Sequence, residues 1–581
     1  MEHEPRPGKR PLFDLVFSYL DALRPSDRLI LFVLAVIFLA STAYALINLS
    51  LAYTTDVPSS GGTLVEGIVG TPRFVNPVLA LTRTDNDLTV LIYSGLMKLD
   101  ADGALTPDLA ESVTVSEDGL VYNVVLRSDI QFHDGSPIRA DDVAFTIELI
   151  QNPDLKSPLR GNWNGVRVEV LGDRELNFVL ADAYTPFLEN LTVGIMPQHI
   201  WESLTIEELA FSQHNTEPIG SGPYKHTDTS RSKTGLINGY TLTAHEDGRG
   251  RANIPTVIVQ FFQNEEELEA AYVQGELTST ASLPNDTVAR FTTQQENSTV
   301  IEAPLPRVFS VFFNQNRSIA LRDASARKAL SAAVDRAALV SDVLDGYGIP
   351  TTSPIPSGFL PEEQATGTLA VGSDTSLDEA RAILSAGGWT QNESGQWGKE
   401  IDDSEVILRV TLATANASVF EETAFYLEHV WSELGVEVSV ELYEQSDLVQ
   451  AVIRPRNYEA LLFGTEIGRS LDLYPFWHSS QREDPGLNVA LYANITTDAL
   501  LRTARTTQDE AERLSSLRDF EAEVHTEAPA IFLYSPTFTY LIRTDVHPTD
   551  MVRISRPSER FSNIRDWYMN EESVWQMFVQ D

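Results

Sequence analysis

The chain has 581 residues, of which 43% are hydrophobic and 9% aromatic, so it is long enough to hold two to four globular domains. Its 83 Asp and Glu against 42 Lys and Arg give a net charge of −41, which argues against nucleic-acid binding because that needs a basic surface. Cysteine is absent, so disulfides, thiolate metal sites and a cysteine nucleophile are excluded.

An apolar segment near the N-terminus predicts a transmembrane anchor. Residues 29–52 contain no charged side chain in 24 positions. As a helix they span about 36 Å, and a bilayer's hydrocarbon core is about 30 Å thick. Arg24 and Arg28 precede this segment and Asp56 follows it, which predicts that the N-terminus stays in the cytoplasm.

Residues 1–28 are then a cytoplasmic segment, and residues 53–60 are a short polar linker to an extracytoplasmic body. The alternative is a cleaved signal peptide, with residues 43–45 (Ala-Tyr-Ala) resembling a cleavage site. In both cases the rest of the chain lies outside the cell membrane, in the periplasm or at the cell surface.

Strand and helix patterns follow in the first half of the body. Alternation over Val121–Leu126 predicts a buried strand, and residues 166–170 and 176–180 flank a turn at Gly172-Asp173 that predicts a hairpin. A helix is predicted from Asp141 or Asp142 to Ile150.

The second half has longer helical patterns. We expect an Ala-rich helix over about 323–343, a helix opened by a capping box at 376–379, and another helix from 497 to about 523. Residues 406–440 form a β-α-β pattern, which predicts a three-layer α/β lobe with a partly parallel sheet.

An aromatic cluster with nearby charges lies in residues 464–488. Phe476 and Trp477 could supply apolar faces to a ligand, with Arg469 and Asp472 orienting it. The equally weighted alternative is that both aromatic side chains belong to a hydrophobic core.

Ordered motifs from Gly61 to Tyr540 resemble the family 5 extracellular solute-binding proteins, the peptide- and nickel-binding subunits of ABC importers. The motifs, in chain order, are GGTLVEG, IYSGLMKLD, PDLAESVTVSEDGLVYNVVLR, FHDGSPIRADDV, GSGPY, VFFNQN, ARKALSAAVDR, LSAGGW, WSELGVEVSV, FWHSSQ with GLN, and EAPAIFLYSP. Their order is specific for the family but does not identify the ligand.

The resemblance implies a periplasmic-binding-protein-like α/β fold, in which two lobes joined by two crossing strands close on a ligand. It places lobe 1 at 61–309 with an extra subdomain at about 100–215, and lobe 2 at 310–534. Residues 535–581 return to lobe 1 and end in a tail, and the crossings are expected near 308–314 and 531–534.

In peptide-binding members the ligand's main chain adds as a strand between the lobes. By this resemblance the main-chain partners are Thr465, Glu466 and Ile467 from one lobe and Pro72 and Arg73 from the other. The complete set of candidate ligand-binding residues is Pro72, Arg73, Phe74, Asn76, Tyr93, Thr465, Glu466, Ile467, Arg469, Asp472, Phe476 and Trp477.

One position departs from the family pattern. Peptide binders carry an acid for the ligand's α-amino group three positions before the acid of a D/E-P step. Asp472 matches that second acid, but Leu473 replaces the proline and Arg469 replaces the amine-binding acid. An arginine favours a carboxylate or phosphate, so the ligand is a short peptide, another anionic or polar metabolite, or a metal chelate.

The remaining chemistry argues for binding without catalysis. The ten histidines form no H-E-x-x-H or i, i+4 pair, so no metal site and no cofactor is expected. His133 and His478 are expected to be structural, and Trp163 could reach the cleft. The resulting prediction is a monomeric, non-enzymatic, membrane-anchored receptor that delivers its ligand to ABC permease subunits; a tethered sensor or surface chaperone and, more remotely, a hydrolase are the alternatives.

Overall fold

The computed structural model describes residues 24–294, 297–360, 377–551 and 553–578. It divides into two compact units, of which the larger comprises residues 60–569 and the smaller combines the residues up to 59 with those from 570 onward. Most of the predicted cytoplasmic segment lies outside the described residues, and so does Ser376, the first residue of the predicted capping box.

The strands in the described part of the chain are β1 Thr54–Ser59, β2 Thr63–Val69, β3 Met97–Leu99, β4 Leu105–Pro107, β5 Ala110–Val115, β6 Val121–Leu126, β7 Arg167–Gly172, β8 Glu175–Val179, β9 Tyr224–Arg231, β10 Ile237–Ala244, β11 Thr256–Phe262, β12 Ser279–Thr280, β13 Ser298–Pro304, β14 Arg307–Phe313, β15 Gly348–Pro350, β16 Thr390–Gln391, β17 Trp397–Ile401, β18 Ser404–Ile407, β19 Arg409–Ala415, β20 Glu437–Tyr443, β21 Ala460–Glu466, β22 Ala530–Arg543 and β23 Asn570–Trp575.

The α-helices in the same residues are α1 Pro25–Tyr53, α2 Arg83–Ile92, α3 Ala140–Gln151, α4 Arg160–Trp163, α5 Phe187–Asn190, α6 Gln198–Trp201, α7 Ile206–Leu209, α8 Glu265–Gln274, α9 Asn285–Gln294, α10 Ala324–Ala332, α11 Arg336–Leu344, α12 Leu377–Ala386, α13 Ser418–Leu434, α14 Gln445–Asp447, α15 Tyr474–Trp477, α16 Ile495–Thr506 and α17 Glu510–Glu527. A π-helix at Leu448–Ile453 and short 3-10 turns at Gln213–Asn215, Ala320–Arg322, Ser479–Gln481, Pro557–Phe561 and Gln576–Phe578 complete the helical elements.

The smaller unit consists of α1, β1, β23 and the turn at Gln576–Phe578. Within α1, residues 25–45 form a segment long and apolar enough to cross a membrane, and none of that segment is buried by protein. Residues 54–59 of the linker predicted at 53–60 form strand β1, which pairs antiparallel with β23 over six residue pairs.

The larger unit has a periplasmic-binding-protein-like α/β fold built on two mixed sheets. One sheet follows the strand order β22-β12-β2-β11-β10-β9 and the other β20-β19-β21-β14-β22. Strand β22 belongs to both, since residues 530–534 pair with β14 while residues 537–543 pair with β13. The second passage between the sheets is the step from β13 to β14.

Separate hydrophobic cores lie on either side of these passages. The sheet that contains β2 and β11 packs with α2, and a four-stranded antiparallel sheet, β5-β6-β8-β7, has its own core with α3 and Trp163. The other main sheet packs between α10–α13 on one face and α16 and α17 on the other. We call these two bodies the first and second lobes.

Several predicted elements are confirmed. The strand at Val121–Leu126 has the predicted bounds, and β7 and β8 form the predicted hairpin. Strands β19 and β20 are parallel and joined by α13, which ends at Gly435 with a φ of 97° that favours glycine.

The prediction of one helix at 323–343 and one at 497–523 was wrong, because each range contains two helices. Asp335 accepts hydrogen bonds from the N–H groups of Ala337 and Ala338 and so starts α11 anew. Asp509 does the same for Ala511 and Glu512 at the start of α17. An aspartate inside a helical pattern marked both breaks.

A fully buried charge cluster ties the C-terminal part of the first lobe to β2 and α2. Arg560 pairs with both carboxylate oxygens of Asp87, at 3.0 and 2.8 Å, and with Glu66 at 2.8 Å. Tyr540 donates to the second oxygen of Glu66 at 2.9 Å. Burial alone lowers the pKa of Arg560, but the charges of Asp87 and Glu66 outweigh it and raise that pKa.

Candidate functional site

The end of β21 lies where the two lobes meet. Thr465 and Glu466 pair with Val308 and Arg307 at the start of β14, and Ile467 donates its N–H to the carbonyl of Pro306 at 2.9 Å. Glu466 also binds the Arg307 guanidinium at 2.8 Å. Three candidate residues, at 465–467, therefore form one continuous segment beside the chain's passage between lobes.

The other edge of β21 is largely unpaired. Its pairing with β19 is confined to Ala460 and Leu461, whereas β14 pairs with all of 460–466. Within the described residues, the Phe463–Glu466 part of this edge has no strand partner. Such an edge presents main-chain N–H and C=O groups that an extended ligand can pair with.

Arg469 links the lobes. Its guanidinium binds Glu559 at 2.7 Å and donates to the carbonyls of Gly103 at 2.8 Å and Arg553 at 3.3 Å, and all three partners belong to the first lobe. The side chain is 12% exposed. The sequence indicated only the charge of Arg469, whereas the fold gives it a carboxylate partner.

Glu189, in helix α5 of the first lobe, lies close to Arg469 and Glu559. A β-carbon added at Gly468 would lie 3.9 Å from its Oε2 atom, so the carboxylate sits against the turn that precedes Arg469. Burial raises the pKa of Glu189 to about 7; the positive charge of Arg469 lowers it, and the negative charge of Glu559 adds to the increase. This carboxyl group therefore titrates near neutral pH.

Asp472 is the second bridge between the lobes. Its Oδ2 atom accepts from the Tyr184 hydroxyl at 3.3 Å and lies 3.5 Å from Arg505. The Arg505 guanidinium stacks between the rings of Tyr184 and Tyr474, at 5.0 and 4.6 Å from their centroids. Burial raises the pKa of Asp472, and the Arg505 charge opposes that increase.

Candidate residues 72–74 of the first lobe form a turn held by Asp85. One carboxylate oxygen of this buried side chain accepts from the N–H groups of Arg73 and Phe74, at 2.8 and 2.9 Å. Those donors are thus occupied. A ligand can therefore contact only the carbonyls and side chains of this turn. These include the Pro72 ring and the Arg73 guanidinium, which lies 4.8 Å from the Phe74 ring centroid.

Asn76 and Tyr93 are buried inside the first lobe. Asn76 donates to the side chain of Asn215 at 3.1 Å and accepts from the N–H of Val78, so its polar atoms support the turn internally. Tyr93 lies directly against Gly194 and Gly220, and burial raises its pKa. Its hydroxyl has no hydrogen-bond partner among the described residues.

Trp477 belongs to the core of the second lobe. It is 3% exposed, and its ring lies 5.8–6.1 Å from those of Phe312, Tyr492, Phe520 and Phe532. Phe476 is half-buried and packs against the same core. Of the two aromatic candidates, only Phe476 thus presents part of its ring to solvent.

The other residues singled out by sequence are structural in this conformation. Trp163 is 1% exposed and packs on Phe178 and Phe187. His133 lies 3.1 Å from the carbonyl of Gly222, and burial lowers its pKa to about 3. Among the described residues no group of three His, Cys, Asp or Glu is arranged to hold a metal ion.

Five residues of this region were not among the predicted ones. Tyr184, Glu189, Arg505 and Glu559 complete the two bridges between the lobes, and Asp85 holds the 72–74 turn. No local pattern marks the first four, because each acts through a partner more than 30 positions away. Asp85 had a weak signal, as an acidic residue in the first turn of α2.

Comparisons with known proteins agree on one family. The model of the bacterial extracellular solute-binding proteins, family 5 Middle, matches residues 104–484. The oligopeptide-binding protein AppA of Bacillus subtilis (strain 168) is 26% identical over 520 residues, covering 87% of this chain and 92% of that protein.

Solved structures agree as well. The structure of AppA from Bacillus subtilis in complex with a nonapeptide superposes with a TM-score of 0.65 at 26% identity, covering 88% of this chain and 100% of that one. NikZ from Campylobacter jejuni in complex with Ni(L-His) gives 0.64 at 24% identity, covering 87% and 99%; this likeness supports the fold.

Proposed function

The chain belongs to family 5 of the bacterial extracellular solute-binding proteins, components of ABC importers that bind peptides or nickel complexes, and on that premise we propose that it is a membrane-anchored receptor for short peptides. It binds them between its lobes and delivers them to ABC permease subunits. Helix α1 anchors it, with the larger unit on the extracytoplasmic side.

The unpaired edge of β21 carries this proposal. A peptide main chain laid along Phe463–Glu466 pairs with main-chain groups that have no partner in β19. A compact metal chelate or a small metabolite uses such a row of main-chain groups poorly. Carbonyls of Pro72 and Arg73, with the exposed part of Phe476, complete the proposed contact surface.

Arg469 is compatible with a peptide ligand. Its charge is balanced by Glu559 at 2.7 Å, and Glu189 adds a second carboxylate to the cluster. An α-ammonium group therefore meets a neutral or acidic cluster, depending on pH, and no uncompensated cation. We propose that Glu189 takes the role of the acidic partner that the family resemblance places at position 469.

Native mass spectrometry of the full-length protein, extracted from its own membranes in mild detergent, tests the proposal. A series of bound masses that match short peptides is expected, together with co-purification of ABC permease subunits. A single non-peptide mass or a nickel-containing mass would refute the peptide assignment. Repeated absence of a permease would favour a tethered sensor or surface chaperone.

A further inference from the structure

The short two-stranded ribbon of the smaller unit joins the chain's C-terminal end to the end of α1. Strand β1 follows Tyr53, the last residue of α1, without interruption. The register pairs Thr54 with Trp575 and continues to Ser59 with Asn570. Trp575 is therefore held directly beside the point where α1 ends.

Apolar and acidic side chains are separated along this ribbon. At the α1 end, Tyr53, Trp575 and Met577 are 53%, 40% and 79% exposed. Acidic side chains begin at Asp56, two residue steps from Thr54, and continue in the register with Glu572 and Glu571. Five residue steps separate the two ends of the ribbon, about 17 Å at the usual strand rise.

The length of α1 places the apolar end at a defined depth if α1 crosses the membrane. The uncharged stretch continues from Leu29 through Tyr53, which is about 38 Å of helix, whereas the hydrocarbon core is about 30 Å thick. The last turn of α1 therefore reaches the interfacial layer. Trp and Tyr prefer this layer because one part of each ring system is apolar and another is polar.

We infer that Tyr53, Trp575 and Met577 form a second membrane contact, which inserts into the interfacial layer of the bilayer beside the exit of α1. We call these three residues the ribbon tip. The contact rests on the anchor in the proposed function. A lipid surface is the occupant because Tyr53 ends the uncharged stretch of α1, Trp575 pairs with the next residue, and acidic side chains begin farther along the ribbon. The ribbon tip then limits how far α1 can tilt in the membrane.

Site-directed spin labelling of the full-length protein in phosphatidylcholine nanodiscs tests this contact. The chain has no native cysteine, so single variants are labelled selectively. Met577→Cys reports the ribbon tip, Glu571→Cys on the same ribbon is the matched control, and Ile37→Cys reports the middle of α1. Collision with oxygen, which concentrates in lipid, is compared with collision with a water-soluble nickel complex.

The expected ratio of oxygen to nickel collisions is highest at 37, intermediate at 577 and several-fold lower at 571. A low ratio at 577, equal to that at 571, with position 37 in lipid would overturn the membrane contact while leaving the anchor intact. Low accessibility of 577 to both reagents would also overturn it, because a protein partner would then cover the tip. A low ratio at 37 would instead show that the anchor itself, and with it the proposed orientation, has failed.

Discussion

Neutralising Glu189 is expected to remove a pH dependence of lobe closure. In the structure Glu189 is in contact range of Arg469 and Ser470 of the second lobe, and burial raises its pKa from 4.5 to about 7. Opening the lobes removes Arg469 and Ser470 and returns the carboxyl group to water, so its pKa falls back toward the ordinary value. Closure therefore takes up a proton between these two pKa values.

The direction and the size of the pH effect on closure follow from the difference between these two pKa values. Because the raised pKa belongs to the conformation in which Arg469 and Ser470 lie against Glu189, that contact between the lobes is favoured at a pH below about 5 and is progressively lost as the pH rises to about 7. A shift from 4.5 to about 7 corresponds to about 3 kcal/mol, or roughly three hundredfold in the closure equilibrium. Glu189→Gln should have a nearly constant closure equilibrium over this range.

Energy transfer between two labels measures closure. Lys233→Cys in the first lobe and Glu393→Cys in the second are exposed positions, and no native cysteine competes for the dyes. Without ligand, transfer should fall between pH 5 and 8 in the otherwise unchanged protein and stay level with Glu189→Gln. Glu202→Gln, an exposed acid of the same region, is the matched control. A Glu189→Gln protein that keeps the full pH dependence would refute the reasoning.

Three further substitutions test other parts of the structure. Arg469→Met removes the pair with Glu559 and should weaken closure by about 1–2 kcal/mol and ligand affinity about tenfold; unchanged affinity by calorimetry would contradict a bridging role. Trp477→Ala should lower the free energy of unfolding by about 3–5 kcal/mol because it leaves a cavity in the second lobe, and a loss of binding with normal thermal stability would assign the ring to the ligand instead. Glu66→Gln should cost about 3 kcal/mol by leaving the buried Arg560 partly unpaired; denaturant unfolding measures it, and a value within 0.5 kcal/mol of zero would count against a stabilising cluster.

Local patterns predicted the fold well because they depend on neighbouring residues. The alternation at 121–126 gave a strand with the observed bounds, and the β-α-β pattern gave the parallel pair β19 and β20. The two wrongly predicted helices also have a local cause. Asp335 and Asp509 stop helices whose apolar periodicity continues past them, since a side-chain cap competes with helical continuation.

Pairings between distant segments could not be predicted in the same way. Strand β1 is polar and contains Pro58, so nothing local marks it as a strand. Its partner lies more than 500 residues away in β23. Likewise, the apolar character of Trp477 was plain from the sequence, but whether its ring lines a cleft or a core depends on four aromatic partners from other elements.

The net charge around position 469 depends on residues that only the fold brings together. Read along the chain, an arginine at a position where the family has an acid reverses the charge and argues for an anionic ligand. In the fold, two carboxylates, Glu559 and Glu189, act on that one guanidinium. When Glu189 is ionised the cluster carries one net negative charge, and when it is protonated the cluster is neutral. An arginine at position 469 therefore does not make the lobe junction cationic. A ligand ammonium that approached Glu189 would also stabilise its ionised form, so peptide binding and proton release should be coupled at neutral pH.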